Sequence, residues 1–479
     1  MDAVNWCWSG GLTFLIAQAQ VDATAPSAPA LTEVLGSYMG VFFVAFVLSF
    51  MLTPVARRVA MRMDVVDRPG DLRKIHTIPI AYLGGLAIFF GWLAGVGCSM
   101  FIQPHYIGVG GLTVRSSFPL SVVLGAAVIL LTGLFDDLYG ISPRVKIGGQ
   151  LFAAAALASQ DVGIRLAGQF CTAVQWALVQ LPWPDAISAA IQTPMPGWFV
   201  YIFGTAVIAF FVIGGCNSMN LLDGMDGLAA GVAGIVATGF LLIAGLLAVD
   251  TLGHAMTGQS FSATLLINDS NRIVMCLAIL GAVLGFLPFN FNPATIFMGD
   301  AGSLLIGYLS AATMLMFAQS EDSQALLAVT AGLIVFALPI TDTSLAIFRR
   351  KMQGIPMSQP DARHLHHLLR RTGLSVRQTV VTLYGISIIF AALGVLLIAM
   401  DFRWRYVLAV AMVLYAFIFV TAYKVGLRYS DAVKQEKLRS ATPGTPPPGT
   451  PGTAGATHLS QNPQASVSLD DDDEADAQA

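Results

Sequence analysis

A chain of 479 residues with 56% hydrophobic and only 11% charged side chains is too poor in charge for a soluble domain, where roughly a quarter of the residues are charged. That deficit, with repeated apolar runs of about 20 residues, excludes a water-soluble core and points to a polytopic membrane protein. The net charge of −3 excludes little, because Asp470 to Asp473, Glu474 and Asp476 crowd into the C-terminal tail.

In chain order, residues 1–32 contain no Lys or Arg, so the positive region of a signal peptide is missing and an outward-facing N-terminal segment is expected. Candidate spans follow at 35–56, 81–101, 118–135, 147–160, 198–215, 228–249, 272–289, 301–318, 325–345, 378–400 and 404–423. They should be helices, because lipid offers no partner to a free backbone polar group. The fourth is short, rich in Ala and Gly and polar at both ends. The stretch 102–117 and the longer 161–197 and 250–271 are chemically plain loops. Residues 426–479 form a tail with "PGTPPPGTPGT" and an acidic end, a composition that buries too little apolar surface to fold. The five cysteines, Cys7, Cys98, Cys171, Cys216 and Cys276, lack metal-ligand spacing and read as small apolar residues.

Alternating the spans places 57–80, 136–146, 216–227, 290–300, 346–377 and the region after 423 on one side. That side holds all the Lys and Arg except Arg115, Arg165, Arg272, Arg403 and Arg405. Short cytoplasmic loops carry the basic excess, so this side is predicted to be cytoplasmic, with the N-terminus outside and the C-terminus inside. Dropping the fourth span would put Asp136 and Asp223 on opposite faces. The expected fold is an all-α polytopic membrane domain over residues 33–425, with about 11 transmembrane helices and its chemistry in cytoplasmic loops.

The polar motifs all fall on that side. "DRPGDLRKIHTIPIAYLGG" supplies Asp67, Arg73, Lys74 and His76 before the second span. "GLFDDLYGISPRVKIGGQ" places the adjacent acids Asp136 and Asp137 at the end of the third span, followed by Arg144 and Lys146. Neighbouring carboxylates repel unless a cation intervenes, and Mg²⁺ is the natural candidate, since it favours oxygen ligands and substrate phosphates. Mn²⁺ is the alternative ion. "NSMNLLDGMDGLAAG" carries Asn217, Asn220, Asp223 and Asp226 three residues apart. On a continuous helix they would fan across half the circumference. A tight turn at Gly224 and Gly227 would instead let them converge on one ligand. One helix cap needs one such residue, not four.

"NFNPATIFMGDAGSLLIG" brings Asn290, Asn292, Phe297 and Asp300, a further candidate metal carboxylate with an aromatic suited to stacking on a base. Asp342 lies near the end of the ninth span. "PDARHLHHLLRR" supplies Asp361, Arg363, His364, His366 and His367. Thiolates are absent there and arginines abound, so these histidines read as phosphate binders rather than zinc ligands. Ionisable groups at the edge of hydrocarbon are costly and usually mark function. There is no Walker loop and no dinucleotide fingerprint, so a nucleotide site would be assembled from these loops. An ion-coupled secondary transporter would instead place acids near mid-bilayer.

Five motifs in this order and spacing, "RKIHTIPIAYLGG", "FDDLYGISPRVK", "NSMNLLDGMDGL", "NFNPATIFMGDAGS" and "PDARHLHHL", resemble the polyprenyl-phosphate N-acetylhexosamine-1-phosphate transferase family over residues 40–425. The resemblance implies a bacterial cytoplasmic-membrane enzyme. A polyprenyl phosphate attacks the β-phosphorus of a UDP-sugar, UMP leaves, and a polyprenyl diphospho-sugar stays in the membrane. It assigns Asp300, with Asp223, to Mg²⁺, and Asp136 and Asp137 to the catalytic pair. Asp223, Asp226 and Asn220 fall on the nucleotide and catalytic loop, with Asn217 beside them. Lys74 and Lys146, with His76, hold the lipid phosphate or the diphosphate. Asn290 lies near the diphosphate and Phe297 beside the uracil. Arg363, His364, His366 and His367 form the sugar-nucleotide loop. The interrupted histidine run is similar to the branch that uses UDP-GlcNAc to begin O-antigen, teichoic acid, lipopolysaccharide or related polymers. The branch that transfers phospho-MurNAc-pentapeptide has three consecutive histidines followed by "FE"; here Leu365 interrupts and "LLRR" follows. The partners implied are a UDP-sugar, a polyprenyl phosphate and the membrane. Nucleic acid is not implied, and a homodimer is compatible.

Overall fold

The computed structural model describes residues 29–68, 79–101, 118–256, 263–320, 322–352, 364–400 and 420. Backbone contacts divide the chain after Tyr423. The tail, the span expected at 404–423 (Val420 apart), Lys74, His76 and Arg363 lie outside the described residues.

The helices are α1 (Leu31–Gly36), α2 (Met39–Arg62), α3 (Gly84–Ser99), α4 (Leu120–Tyr139), α5 (Pro143–Ser159), α6 (Ile164–Val179), α7 (Asp185–Gln192), α8 (Gly197–Leu222), α9 (Leu228–Met256), α10 (Ala263–Asn290), α11 (Gly299–Phe317), α12 (Asp322–Val335), α13 (Ala337–Met352), α14 (Leu365–Arg371) and α15 (Val376–Ala399). A two-stranded antiparallel ribbon, β1 (Val66–Asp67) with β2 (Ile80–Ala81), is a small departure from the all-α expectation. Seven of the described helices are long and apolar enough to cross a membrane, and the pair α12–α13, bent by 70°, makes an eighth if it is one span. The expected span at 81–101 is the shorter apolar helix α3.

The fourth expected span is also short by this measure, yet it runs the length of its neighbour. Lys146 near the start of α5 pairs with Asp136 near the end of α4. Gln160 just beyond α5 accepts from the Ser121 amide at the start of α4, 2.9 Å away. The two helices are therefore antiparallel along their whole length, and α5 carries the chain away from the acids.

The loop expected at 161–197 contains α6 and α7. Their windows are diluted by Arg165, Gln169, Thr172 and Gln175, which hides from hydropathy a one-sided pattern: α6 buries only Leu166, Ala167 and Cys171. Helix α10 likewise starts well before the expected residue 272. Arg272, buried inside it, sits 2.5 Å from Asp269 Oδ1 and donates to the Met316 carbonyl at 3.0 Å. Among the described cysteines none is bridged.

Helix α11 is the axis. Every residue of it except Asp300 is buried, which accounts for its many small side chains. It crosses α8 where Gly215 faces Gly307. A Cβ on Gly307 would lie 2.3 Å from the Gly215 carbonyl oxygen. Small residues at such crossings let spanning helices approach backbone to backbone. That contact sets the register in which the end of α8 meets the start of α11.

Candidate active site

The acids from distant motifs meet at the N-terminal end of α11. Gly133 allows it. A Cβ there would stand 2.4 Å from Ala301 Cα, so only a bare backbone lets the last turn of α4 reach α11. Asp137 then caps α11. Its Oδ1 accepts from the Asp300 amide at 2.8 Å and its Oδ2 from the Ala301 amide at 3.0 Å. A carboxylate satisfies orphan N–H groups and suits the positive end of the helix dipole. Gly299, at φ +68°, makes the entry; a Cβ there would collide with Asp137 Oδ2 at 2.5 Å. Asp136 points the other way. Its Oδ1 accepts from the Ile141 amide at 3.0 Å, and its Oδ2 pairs with Lys146.

Lys146 bridges two motifs, because its Nζ is also 2.5 Å from Asp300 Oδ2. Burial opposes its charge, but Asp136 and Asp300 outweigh that and raise its pKa. The other oxygen of Asp300 accepts from Asn220 Nδ2 at 2.9 Å, and the same amide reaches Ser303 Oγ at 3.0 Å. Asp223 closes α8. Its carboxyl is pushed up to about 8, by burial first and then by the negative charges of Asp300, Asp137 and Asp226. Lys146 thus pairs with two acids, Asp136 and Asp300, while Asp137 caps α11 and Asp223 lies close enough to Asp300 and Asp137 to feel their charge.

The four polar residues of the α8–α9 turn do not converge on one point. Asn217 and Asn220 remain on helix α8, whose geometry fans them apart. Asn217 donates to Gln150 Oε1 at 3.1 Å and to the Ile213 carbonyl at 2.7 Å. Asp226 accepts from Asn292 Nδ2 at 2.9 Å and the Ala294 amide at 3.0 Å, fastening the 292–294 loop to the turn. Asn290 holds the same junction, accepting from the Gly227 amide at 3.2 Å and donating to the Ile296 carbonyl at 3.0 Å. Phe297 packs edge-on against Tyr82, ring centroids 5.8 Å apart.

His364 and His366 are buried, at 6% and 1% exposure. The His366 ring abuts Gly224, and its pKa falls to about 3, chiefly from burial and then from the neighbouring His367. Burial thus favours the neutral ring.

A hard divalent cation suits this donor set, which is all oxygen. Among the described residues no three His, Cys, Asp or Glu side chains form a ready ligand cluster.

A model of the family described as "Glycosyl transferase family 4" matches residues 119–318, the stretch that holds the whole acid cluster. A relative from Bacillus subtilis named probable undecaprenyl-phosphate N-acetylglucosaminyl 1-phosphate transferase is 31% identical over 360 residues, covering 74% of this chain and 84% of that one. The chain belongs to the polyprenyl-phosphate N-acetylhexosamine-1-phosphate transferase family. A Mycobacterium tuberculosis relative, decaprenyl-phosphate N-acetylglucosaminephosphotransferase, is 31% identical over 349 residues, 71% of this chain and 77% of that one. A phospho-N-acetylmuramoyl-pentapeptide-transferase from Geobacillus kaustophilus is 28% identical over 366 residues, 74% and 94% respectively.

Within this transferase, several site-building residues went unremarked in the sequence. Gly133 and Ser303 fall inside two of the motifs, but as small residues near the acids they carry no mark of a close helix approach or of a hydrogen bond. Arg377 donates to the Asn292 carbonyl at 2.9 Å, and Tyr384 to the Gly227 carbonyl, both from the start of α15. Only the one-sided crowding of polar residues could have flagged them, and they sit singly.

Proposed function

We propose that this chain transfers N-acetylhexosamine-1-phosphate, specifically GlcNAc-1-phosphate, from a UDP-sugar to undecaprenyl phosphate, with Mg²⁺, at the cytoplasmic face of a bacterial membrane. The single observation that carries this reading is Lys146 paired with both Asp136 and Asp300 at the end of α11 that Asp137 caps. The printed names of the relatives support the sugar, and the basic loops on that side support the orientation. UMP release, initiation of a cell-envelope polysaccharide such as O-antigen or teichoic acid, and a homodimer belong to the same proposal.

Phosphoryl transfer depends mainly on positioning and on neutralising developing charge. An oxygen of the lipid phosphate forms the new bond to the β-phosphorus, the bond to the bridging oxygen breaks, and UMP departs with that oxygen. Lys146, already between two carboxylates, is placed to give its ammonium to phosphate oxygens as they arrive. Asn220 holds the Asp300 carboxylate in place. Burial, then the negative charges of Asp300, Asp137 and Asp226, push the Asp223 carboxyl up to about 8, so it favours an arriving cation, which would hold it as the carboxylate. A Mg²⁺ bound by Asp300 and Asp223 would supply charge neutralisation at the diphosphate. Asp137 keeps the end of α11 in place by its cap.

A second reading, phospho-MurNAc-pentapeptide transfer, is favoured by the Geobacillus relative's name and opposed by Leu365 and the "LLRR" that follows the histidines. A panel of UDP-sugars with radiolabelled acceptor lipid separates the two. Labelled lipid-linked product from UDP-GlcNAc but not from UDP-MurNAc-pentapeptide is expected. The reverse pattern would replace the proposal with the alternative.

A further inference from the structure

The bent pair α12–α13 gives a buried acid that the reaction above does not use. The break falls at Phe336, and Pro339 follows in the first turn of α13. One turn on, Asp342 is fully buried, at 0% exposure. Its Oδ2 lies 3.0 Å from His364 Nδ1, and its Oδ1 accepts from the Leu365 amide at 2.8 Å. Both carboxylate oxygens act as acceptors, so the proton of that imidazole contact belongs on Nδ1. This fixes both the tautomer and the plane of the His364 ring.

The fixed ring is the first of a stack. His364 and His366 lie nearly parallel, 7° apart with centroids at 5.8 Å, and His366 meets His367 at 4.3 Å. His366 fills the space over Gly224, where a Cβ would come within 2.6 Å of Nε2. Gly224 adjoins Asp223. Asp342 thus anchors a chain of contacts that ends at the backbone of the acid cluster. The carboxylate also starts helix α14 by accepting from its first amide.

We propose that Asp342 is a positioning residue for the sugar-nucleotide side of the site, setting the His364 ring and the turn at Leu365 on which the other histidines stand. The proposal rests on the transferase reading for its kinetic part, but its structural part does not. Asn at this position keeps the shape but loses the charge and has only one accepting oxygen, so if that serves the Leu365 amide its Nδ2 faces the imidazole as a donor and forces the other tautomer. Glu can serve both at a longer reach.

Detergent-purified wild type, Asp342→Asn, Asp342→Glu, His364→Ala and the double variant Asp342→Asn/His364→Ala are compared in two assays. The first is amide hydrogen exchange over residues 364–371. The second is steady-state UMP release with UDP-GlcNAc varied. Asp342→Asn is expected to speed exchange in that segment. It should raise KM for the nucleotide sugar by about tenfold or more with a smaller change in kcat, while Asp342→Glu recovers part of the loss. Because Asp342 acts through His364, the double variant should be little worse than His364→Ala alone. Unchanged exchange in Asp342→Asn would overturn the anchoring. Faster exchange with wild-type kinetics, or fully additive losses in the double variant, would overturn the positioning role. A wild type that releases no UMP from any UDP-sugar would fail the transferase reading instead, and hydrogen exchange would still decide whether Asp342 holds the segment.

Discussion

Asp136 and Asp137 are neighbours in sequence with different duties, and neither duty was written in the sequence. Repulsion between adjacent acids suggested a shared metal. In the structure Asp137 accepts from the α11 amides and Asp136 pairs with Lys146. What the sequence did reveal was membership of the cluster, because an acid at the edge of an apolar run is rare enough to stand out. Asp136 finds Lys146 within its own motif, but the Asp137 pairing depends on amides more than a hundred residues away, which no local pattern encodes. Asp300 faces both Lys146 and Asn220, so Asp300→Asn should cut kcat by about 10²-fold or more, with a melting temperature close to wild type. Wild-type turnover in UMP-release assays would remove Asp300 from the site. His366 gives a pH prediction. Its folded pKa near 3 lies below the ordinary value of about 6.5. The unfolded chain therefore binds the extra proton between those values, and stability rises with pH across that window. Thermal melts should show wild type losing stability more steeply than His366→Gln as pH falls from 7 to 5. Equal slopes would mean the ring is not sealed.

The spanning helices were legible as elements because a run of about 20 apolar residues has few other uses. The amphipathic α6 and α7 were not, since polar residues on one face lower the average without breaking the helix. The turn after α8 also differed. Asn217 and Asn220 stayed helical through Leu222, because the first glycine of the motif comes only at Gly224, leaving the helix end two turns later than convergence would require. The close crossing of α4 and α11 at Gly133 was invisible, because a glycine among apolar residues looks like any small residue. Gly133→Val should force the two backbones apart, costing about 1–3 kcal/mol of stability. Turnover should fall as Asp137 leaves the Asp300 and Ala301 amides. A variant with normal melting and normal kcat would show that the approach of these helices does not build the site.

At the scale of the molecule, polar residues scattered over more than two hundred positions come together at one end of the described helices. Exposed Phe43, Met51, Leu124, Phe135, Phe152 and Phe210 are suited to lipid. The Pro/Gly-rich acidic tail holds none of the motifs, and removing residues 441–479 should leave turnover near the full-length value. A large loss in well-folded protein would give the tail a part in the reaction. The measurement that bears most directly on the whole reading is UMP release from UDP-GlcNAc by the purified full chain, with undecaprenyl phosphate and Mg²⁺ each added or withheld. UMP should appear only when both are present, matched mole for mole by lipid-linked sugar phosphate. UMP formed without the lipid, or none formed in any combination by folded protein, would contradict a phosphoryl-transfer site built from these four aspartates and Lys146.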